Sequence, residues 1–290
     1  MILVAIAQRV IDIHVHIQPW RMLQPEVLAL WKSHHPDFDH LLALADDPRK
    51  FLNFMDAEGL EKAALINYVS PDVMGFTGEV NEFVSKYCSF APDRLIPVGS
   101  LHPPHLENPK ADMAYLVEEL GIRLIKIHPP HQLFYPNDYL HGMESLAIIY
   151  EQAQQYEVPV MFHTGTSIFP AARVKYGDPI HLDDVAIDFP KLKIILAHGG
   201  RPLWMNTSFF LLRRHSNLYL DISGIPPQNL LSYFPRLEEI AHKTMFGSDW
   251  PGPGVKSIRA NIEGFSALTL PPEIKRAILY STAQQLLSSP

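Results

Sequence analysis

Along the chain, apolar positions gather into eight short runs rich in β-branched and aliphatic residues, separated by stretches whose apolar positions recur at helical spacing. The runs are VIDIHVH (10–16), KAALIN (62–67), RLIPVGSL (94–101), IRLIKIHP (122–129), VPVMFHTG (158–165), LKIILAHGG (192–200), LYLDISG (218–224) and MFGSDWP (245–251). Most are apolar on both faces, the pattern of strands covered on both sides. Between them, DDPRKFLNFMDAEG carries an Asp cap, a Pro at the first helical position and a closing Gly. PPEIKRAILYSTAQQLL opens on Pro and sets Ile274, Ala277 and Ile278 at core spacing. Eight strands alternating with helices over about 250 residues predict a (β/α)8 TIM barrel, with an open doubly wound sheet as the alternative, because strand order is not written in the pattern.

Two connections stand out. Residues 17–45 form a long loop insertion after strand one, with Trp20, Trp31, His34, His35 and three prolines, and residues 130–140 follow strand four. Loops of this length on a barrel are either lids over the site or plain surface excursions. No repeat, low-complexity tract or linker divides the sequence, so residues 1–290 are expected to form one domain.

Composition narrows the classes. Hydrophobic residues make up 47% and charged residues 19%, which suits a packed core rather than a disordered chain. A net charge of −7 offers no basic surface for nucleic acid. The single cysteine, Cys88, excludes an intrachain disulfide and a cysteine-based zinc cluster, so any metal would be held by His and carboxylates. The N-terminus lacks a basic start, and its apolar stretch is cut by Gln8, Arg9 and Asp12. No apolar run reaches the roughly 18 residues of a membrane span, and the expected location is the cytoplasm.

The chemistry begins at His14 and His16. With 15 His in 290 residues, one His-x-His is expected by chance about once, so the pair matters only with partners. In a strand, positions i and i+2 share a face, which aligns His14 with His16 and sets Asp12 one layer deeper. In the barrel reading His163 ends strand five, His198 ends strand six and Asp249 ends strand eight, all at the strand-end face where barrel active sites are built. Small residues beside them, in HTG, HGG and GSDWP, allow close backbone approach.

The order DIHVH, FHTG, AHGG, FGSDWP resembles the amidohydrolase superfamily, in the branch that holds aminocarboxymuconate-semialdehyde decarboxylase, γ-resorcylate decarboxylase and related metal-dependent hydrolases. The resemblance runs nearly end to end, through MDAEGLEKAAL, APDRLIPVGSL and ILYSTAQQLL, and departs at Ser281-Thr282, where Gly-Asn is common. It implies one divalent metal on His14, His16, His163 and Asp249. Zinc is expected from the ligand types, with Mn2+, Fe2+ and Ni2+ also compatible. It assigns His198 and Asp249 to catalysis and Asp12 to orienting the histidines. It also carries an expectation of homodimers.

Lys126 and His128 share a face near the end of strand four. Lys126 is expected to serve as a cation for a substrate carboxylate, with a structural ion pair and a carbamate bridging two metals as alternatives. Tyr68, Arg201 and Trp250 are the other expected substrate contacts, with Arg173 and Lys175 the weaker pair. The first expected reaction is hydrolysis of an amide, lactone or ester in a small carboxylated molecule by a metal-activated water. The alternative is non-oxidative decarboxylation of an aromatic or unsaturated carboxylic acid. A barrel that binds without turnover, and a metal-free hydrolase, are the remaining readings.

Overall fold

The computed structural model describes residues 9–287; the first eight residues of the apolar N-terminal stretch lie outside it. Eight parallel strands pair in sequence order: β1 (Ile11–Val15), β2 (Lys62–Ile66), β3 (Leu95–Gly99), β4 (Leu124–Ile127), β5 (Val160–His163), β6 (Ile194–Ala197), β7 (Leu218–Asp221) and β8 (Thr244–Met245). The ring closes where the Ile13 N–H donates to the Phe246 carbonyl and Val15 bridges Trp250. This is a (β/α)8 TIM barrel and not the open sheet, because β1 meets the β8 segment instead of forming an edge. β1 to β7 fall within their predicted runs, but β8 is only Thr244–Met245, so Asp249 stands on the segment after the strand and not at its end. IDIHV, LIPVG, LIKI, VMFH and IILA are buried throughout, as strands with side chains packed inside the barrel and under helices must be.

The connection after β1 is not the long loop expected. It folds into helices α1 (Pro25–His34) and α2 (Phe38–Asp46), followed by α3 (Pro48–Glu58). Pro25 is pre-set for a first helical turn, and Asp37 caps α2 by accepting from the His40 N–H. Trp31, Phe38, Leu41 and Leu44 turn inward and join the core, which supplies the burial that holds the helices. Pro19, Pro25 and Pro36 break the segment into short pieces, so the apolar spacing of each helix is brief in the sequence. The expected caps of α3 are present: Asp47 accepts from the Arg49 N–H, Pro48 opens the helix and Gly59 closes it in the left-handed conformation. Residues 130–140 are likewise partly helical, with a single turn over Pro129–Gln132. Among the described residues no helix is long and apolar enough to cross a membrane.

Candidate active site

β1 carries His14, and His16 follows directly after it. Its pairing with β2 shifts register between Asp12 and Val15, an irregularity of the kind that re-aims a side chain at the rim of a barrel. Backbone bonds fix Asp249 against them: the Asp249 N–H donates to the His14 carbonyl at 2.9 Å, and the His16 N–H to the Trp250 carbonyl at 2.7 Å. His198, directly after β6, and Asp249 both adopt φ of +67°. For residues with a Cβ this conformation costs on the order of 1–2 kcal/mol, and such strain clusters at functional sites.

His14, His198 and Asp249 each offer a ligand atom within 4.8 Å of the others, and all three are buried. His14 Nδ1 donates to Asp221 Oδ2 at 2.6 Å, which leaves Nε2 with its lone pair 3.5 Å from Asp249 Oδ1. His198 Nδ1 donates to the Ser223 carbonyl at 2.9 Å, so its Nε2 is likewise the free nitrogen. Burial keeps both imidazoles neutral, with pKa values well below the ordinary histidine range. Ser223 sits between them: its hydroxyl donates to Asp221 Oδ2 at 2.7 Å and lies within 3.1 Å of both Nδ1 atoms.

His16 Nε2 stands 3.1 Å from Asp249 Oδ1, and Arg201 Nη2 stands 3.5 Å from Oδ2. Burial would raise the Asp249 carboxyl, but the hydrogen bond from His16 and the charge of Arg201 outweigh it and hold the group below the usual carboxylate range. His163 lies outside the three-residue set. Its Nε2 faces the Thr166 carbonyl at 3.2 Å, leaving Nδ1 free, and its ring meets His198 edge to face at 4.7 Å.

A cavity of about 150 Å3 opens above this cluster, a size that takes one benzene-sized ring. Lys126 lines it and is 1% exposed, and its Nζ has no hydrogen-bond partner. Burial lowers the ammonium to about 8, against the pull of Asp221 and Asp249. One wall is a stack of rings: His128 lies 3.9 Å from His163 and 3.5 Å from His131, both nearly parallel, and 5.1 Å from Tyr68. Tyr68 Oη is 3.1 Å from His131 Nδ1, whose Nε2 is 2.7 Å from Ser167 Oγ.

Of the residues singled out in the sequence, His14, His16, Tyr68, Lys126, His128, His163, His198, Arg201 and Asp249 all line this one cavity. Trp250 does not. Its ring packs on Phe54 at 4.6 Å, so its place beside Asp249 in the chain serves packing. Arg173 and Lys175 are also absent from the lining, and the Lys175 ammonium rests over the Tyr176 ring. Asp12 supports the site through backbone, accepting from the N–H groups of His14 and Ser248, while Asp221 is the carboxylate that orients the His14 ring.

Asp221 and Ser223 were missed, although D-I-S at the end of strand seven has the same two-residue spacing as D-I-H in strand one. His131 and Trp31 were missed because each sits where a loop was expected. Gly247 explains why that position cannot carry a side chain: a Cβ there would strike Asp221 Oδ1 and come within 2.9 Å of the His14 and Ser223 Cβ atoms.

The amidohydrolase family model matches residues 11–288, which takes in every strand and the whole donor set. The chain belongs to the amidohydrolase family. Among solved structures, this amidohydrolase is similar to an uncharacterized TIM-barrel protein of Bordetella bronchiseptica, at 23% identity and a TM-score of 0.75, covering 97% of this chain and 98% of that one. It is similar to 5-carboxyvanillate decarboxylase of Novosphingobium aromaticivorans DSM 12444, complexed with manganese and 4-hydroxy-3-methoxy-5-nitrobenzoic acid, at 17% identity and 0.71, covering 97% and 96%. A third is 2,6-dihydroxybenzoate decarboxylase from Rhizobium, at 18% identity and 0.67, covering 97% and 98%. No curated protein sequence matches. At these identities the structural likeness establishes the shared barrel.

Proposed function

We propose that this amidohydrolase is a metal-dependent carboxy-lyase that removes CO2 non-oxidatively from a small, single-ring aromatic or unsaturated carboxylic acid. The observation that carries the reading is Lys126: a buried ammonium without a hydrogen-bond partner, lining a one-ring cavity, is complementary to a carboxylate. Support comes from the solved relatives, two of which are decarboxylases of substituted benzoates, one with manganese bound. On this footing decarboxylation takes precedence over the hydrolysis expected first from the sequence.

The donor set fits a divalent metal: two neutral imidazoles with free Nε2 lone pairs converge with one anionic carboxylate. His14, His198 and Asp249 would hold it, with His16 and His163 adjacent as the further ligands expected from the sequence. Bound there, the ion supplies positive charge that draws in an acidic substrate and offsets negative charge developing on its oxygens. Manganese and zinc both suit the donors.

The chain's own residues account for the rest. Lys126 and Arg201 place the carboxylate, and the His128, His131 and Tyr68 rings pack against the face of the substrate ring. Arrival of a substrate anion adds like charge beside Asp249, which favours uptake of a proton by its carboxyl. Asp249 then delivers that proton to the ring carbon bearing the carboxylate. The bond to the carboxyl carbon breaks, its electron pair returns to the ring and CO2 leaves. The buried rings around the site exclude water from this step.

Hydrolysis keeps one observation in its favour, the free His198 Nε2 beside Asp249, which is a ready base for a water. A panel of hydroxybenzoates, unsaturated acids and lactones separates the two reactions. CO2 release that is lost on chelation and restored by manganese or zinc is the expected result. Ring opening or ester cleavage without CO2 would overturn the lyase reading in favour of hydrolysis.

A further inference from the structure

A second convergence of metal-binding side chains lies outside the site just described. Residues 102–105 read His-Pro-Pro-His and form a single 3-10 turn, Pro103–His105, directly after β3. At three residues per turn, positions i and i+3 eclipse, and the two prolines fix the turn. His102 and His105 accordingly stack, with ring centroids 4.2 Å apart and planes inclined by 23°. The segment after β2 brings Asp72 against them, held by Gln24 Nε2, which donates to the Pro71 and Asp72 carbonyls. Asp72, His102 and His105 each present a ligand atom within 4.8 Å of the other two.

The second observation is His102 itself. Its side chain belongs to a residue only 5% exposed, and its Nδ1 has no hydrogen-bond partner. A buried imidazole nitrogen left unsatisfied calls for an explanation such as an ion or a water. Burial also keeps this ring neutral, with a pKa lowered to about 4, so it presents a lone pair rather than a charge at neutral pH.

We propose that Asp72, His102 and His105 form a second, peripheral binding site for a divalent transition-metal cation of the zinc type. Two imidazoles and a carboxylate are a three-ligand set that leaves a position for water, and the nitrogen donors select against Mg2+ and Ca2+. The ion staples the segment after β2 to the segment after β3. Gln132 already joins the same two segments, donating through Nε2 to the Val69 and Leu101 carbonyls at 2.8 Å each. Gln132 follows His131 and Val69 follows Tyr68, so the staple stiffens the ring wall of the cavity from outside.

The test is equilibrium dialysis of the metal-loaded protein against zinc chloride, followed by elemental analysis, on the wild type and on Asp72→Ala and His105→Ala. Both substituted side chains are exposed and absent from the cavity lining, so the variants are expected to fold and to keep basal activity. The wild type should hold one equivalent of zinc per chain more than either variant, and zinc should raise its melting temperature by more than theirs. Zinc on the catalytic donors or on scattered surface histidines is common to all three proteins and cancels in the difference. Equal zinc content in the wild type and both variants would overturn the site.

Discussion

Asp221 accepts a hydrogen bond from His14 Nδ1 at 2.6 Å, and both side chains are fully buried, so the carboxylate at the end of β7 fixes which nitrogen of His14 faces Asp249. The relation joins opposite parts of the sequence, 207 positions apart, and decides the tautomer of the first candidate ligand.

Replacing Asp221 with Asn removes the anionic acceptor while keeping size and shape. Metal affinity is expected to fall by about 10- to 100-fold, the range found for partners that orient a ligand, with the circular dichroism spectrum unchanged. A metal titration of the variant against the wild type checks this, and an unchanged affinity would show that Ser223 alone suffices to orient His14.

Lys126→Met keeps the length of the side chain and deletes the charge. A buried ammonium without a hydrogen-bond partner is a cost to the fold, so the variant should melt at the same temperature or higher. Turnover on carboxylated substrates should drop by about 100-fold or more, because an acid-binding group worth on the order of 3 kcal/mol is lost. Steady-state kinetics with differential scanning calorimetry tests both halves.

Much of this site was legible in the sequence. His14, His16, His163, His198 and Asp249 declared themselves by recurring at the ends of predicted strands, since strand parity and barrel topology together send strand-end residues to one face. Asp221 obeyed the same rule, but its partner at the two-residue spacing is Ser223, which is not a metal-ligand type, so the pair carried less signal than Asp12 and His14. Trp31 and His131 were hidden for a different reason. Their place depends on where α1 and the turn at Pro129–Gln132 pack, and that is decided by tertiary contacts that local spacing does not reveal. Trp250 shows the converse error, in which adjacency to Asp249 in the chain was taken for adjacency to the substrate.

Trp31 and Trp250 therefore separate experimentally. Trp31 lines the cavity, and Trp31→Leu should raise KM several-fold. Trp250 packs on Phe54 away from it, and Trp250→Phe should leave kinetics close to wild type while costing about 1–3 kcal/mol of stability. Urea denaturation and initial-rate measurements on the two variants distinguish the roles, and a large rise in KM for Trp250→Phe would restore it to the site.

His131 predicts an acid-labile fold. Burial lowers its pKa to about 3, below the ordinary 6.5 that applies once the chain unfolds. Below pH 6.5 the unfolded chain binds a proton that the folded one refuses, so the stability present above pH 6.5 is lost as pH falls toward 3. The slope from this one residue is about 1.4 kcal/mol per pH unit at most. Urea midpoints at pH 7 and pH 5 should diverge in the wild type and diverge less in His131→Gln; equal divergence would assign the acid sensitivity elsewhere.

Turnover of a carboxyl-13C hydroxybenzoate in D2O tests the proposed reaction most directly, read by NMR and by mass spectrometry of the gas phase. The expected result is labelled CO2 in equal amount with product, one deuterium on the carbon that lost it, and loss of both signals in Asp249→Asn. No labelled CO2 from the hydroxybenzoate, together with hydrolysis of an ester or lactone of the same acid that keeps its labelled carboxyl carbon, would contradict decarboxylation and establish the barrel as a hydrolase.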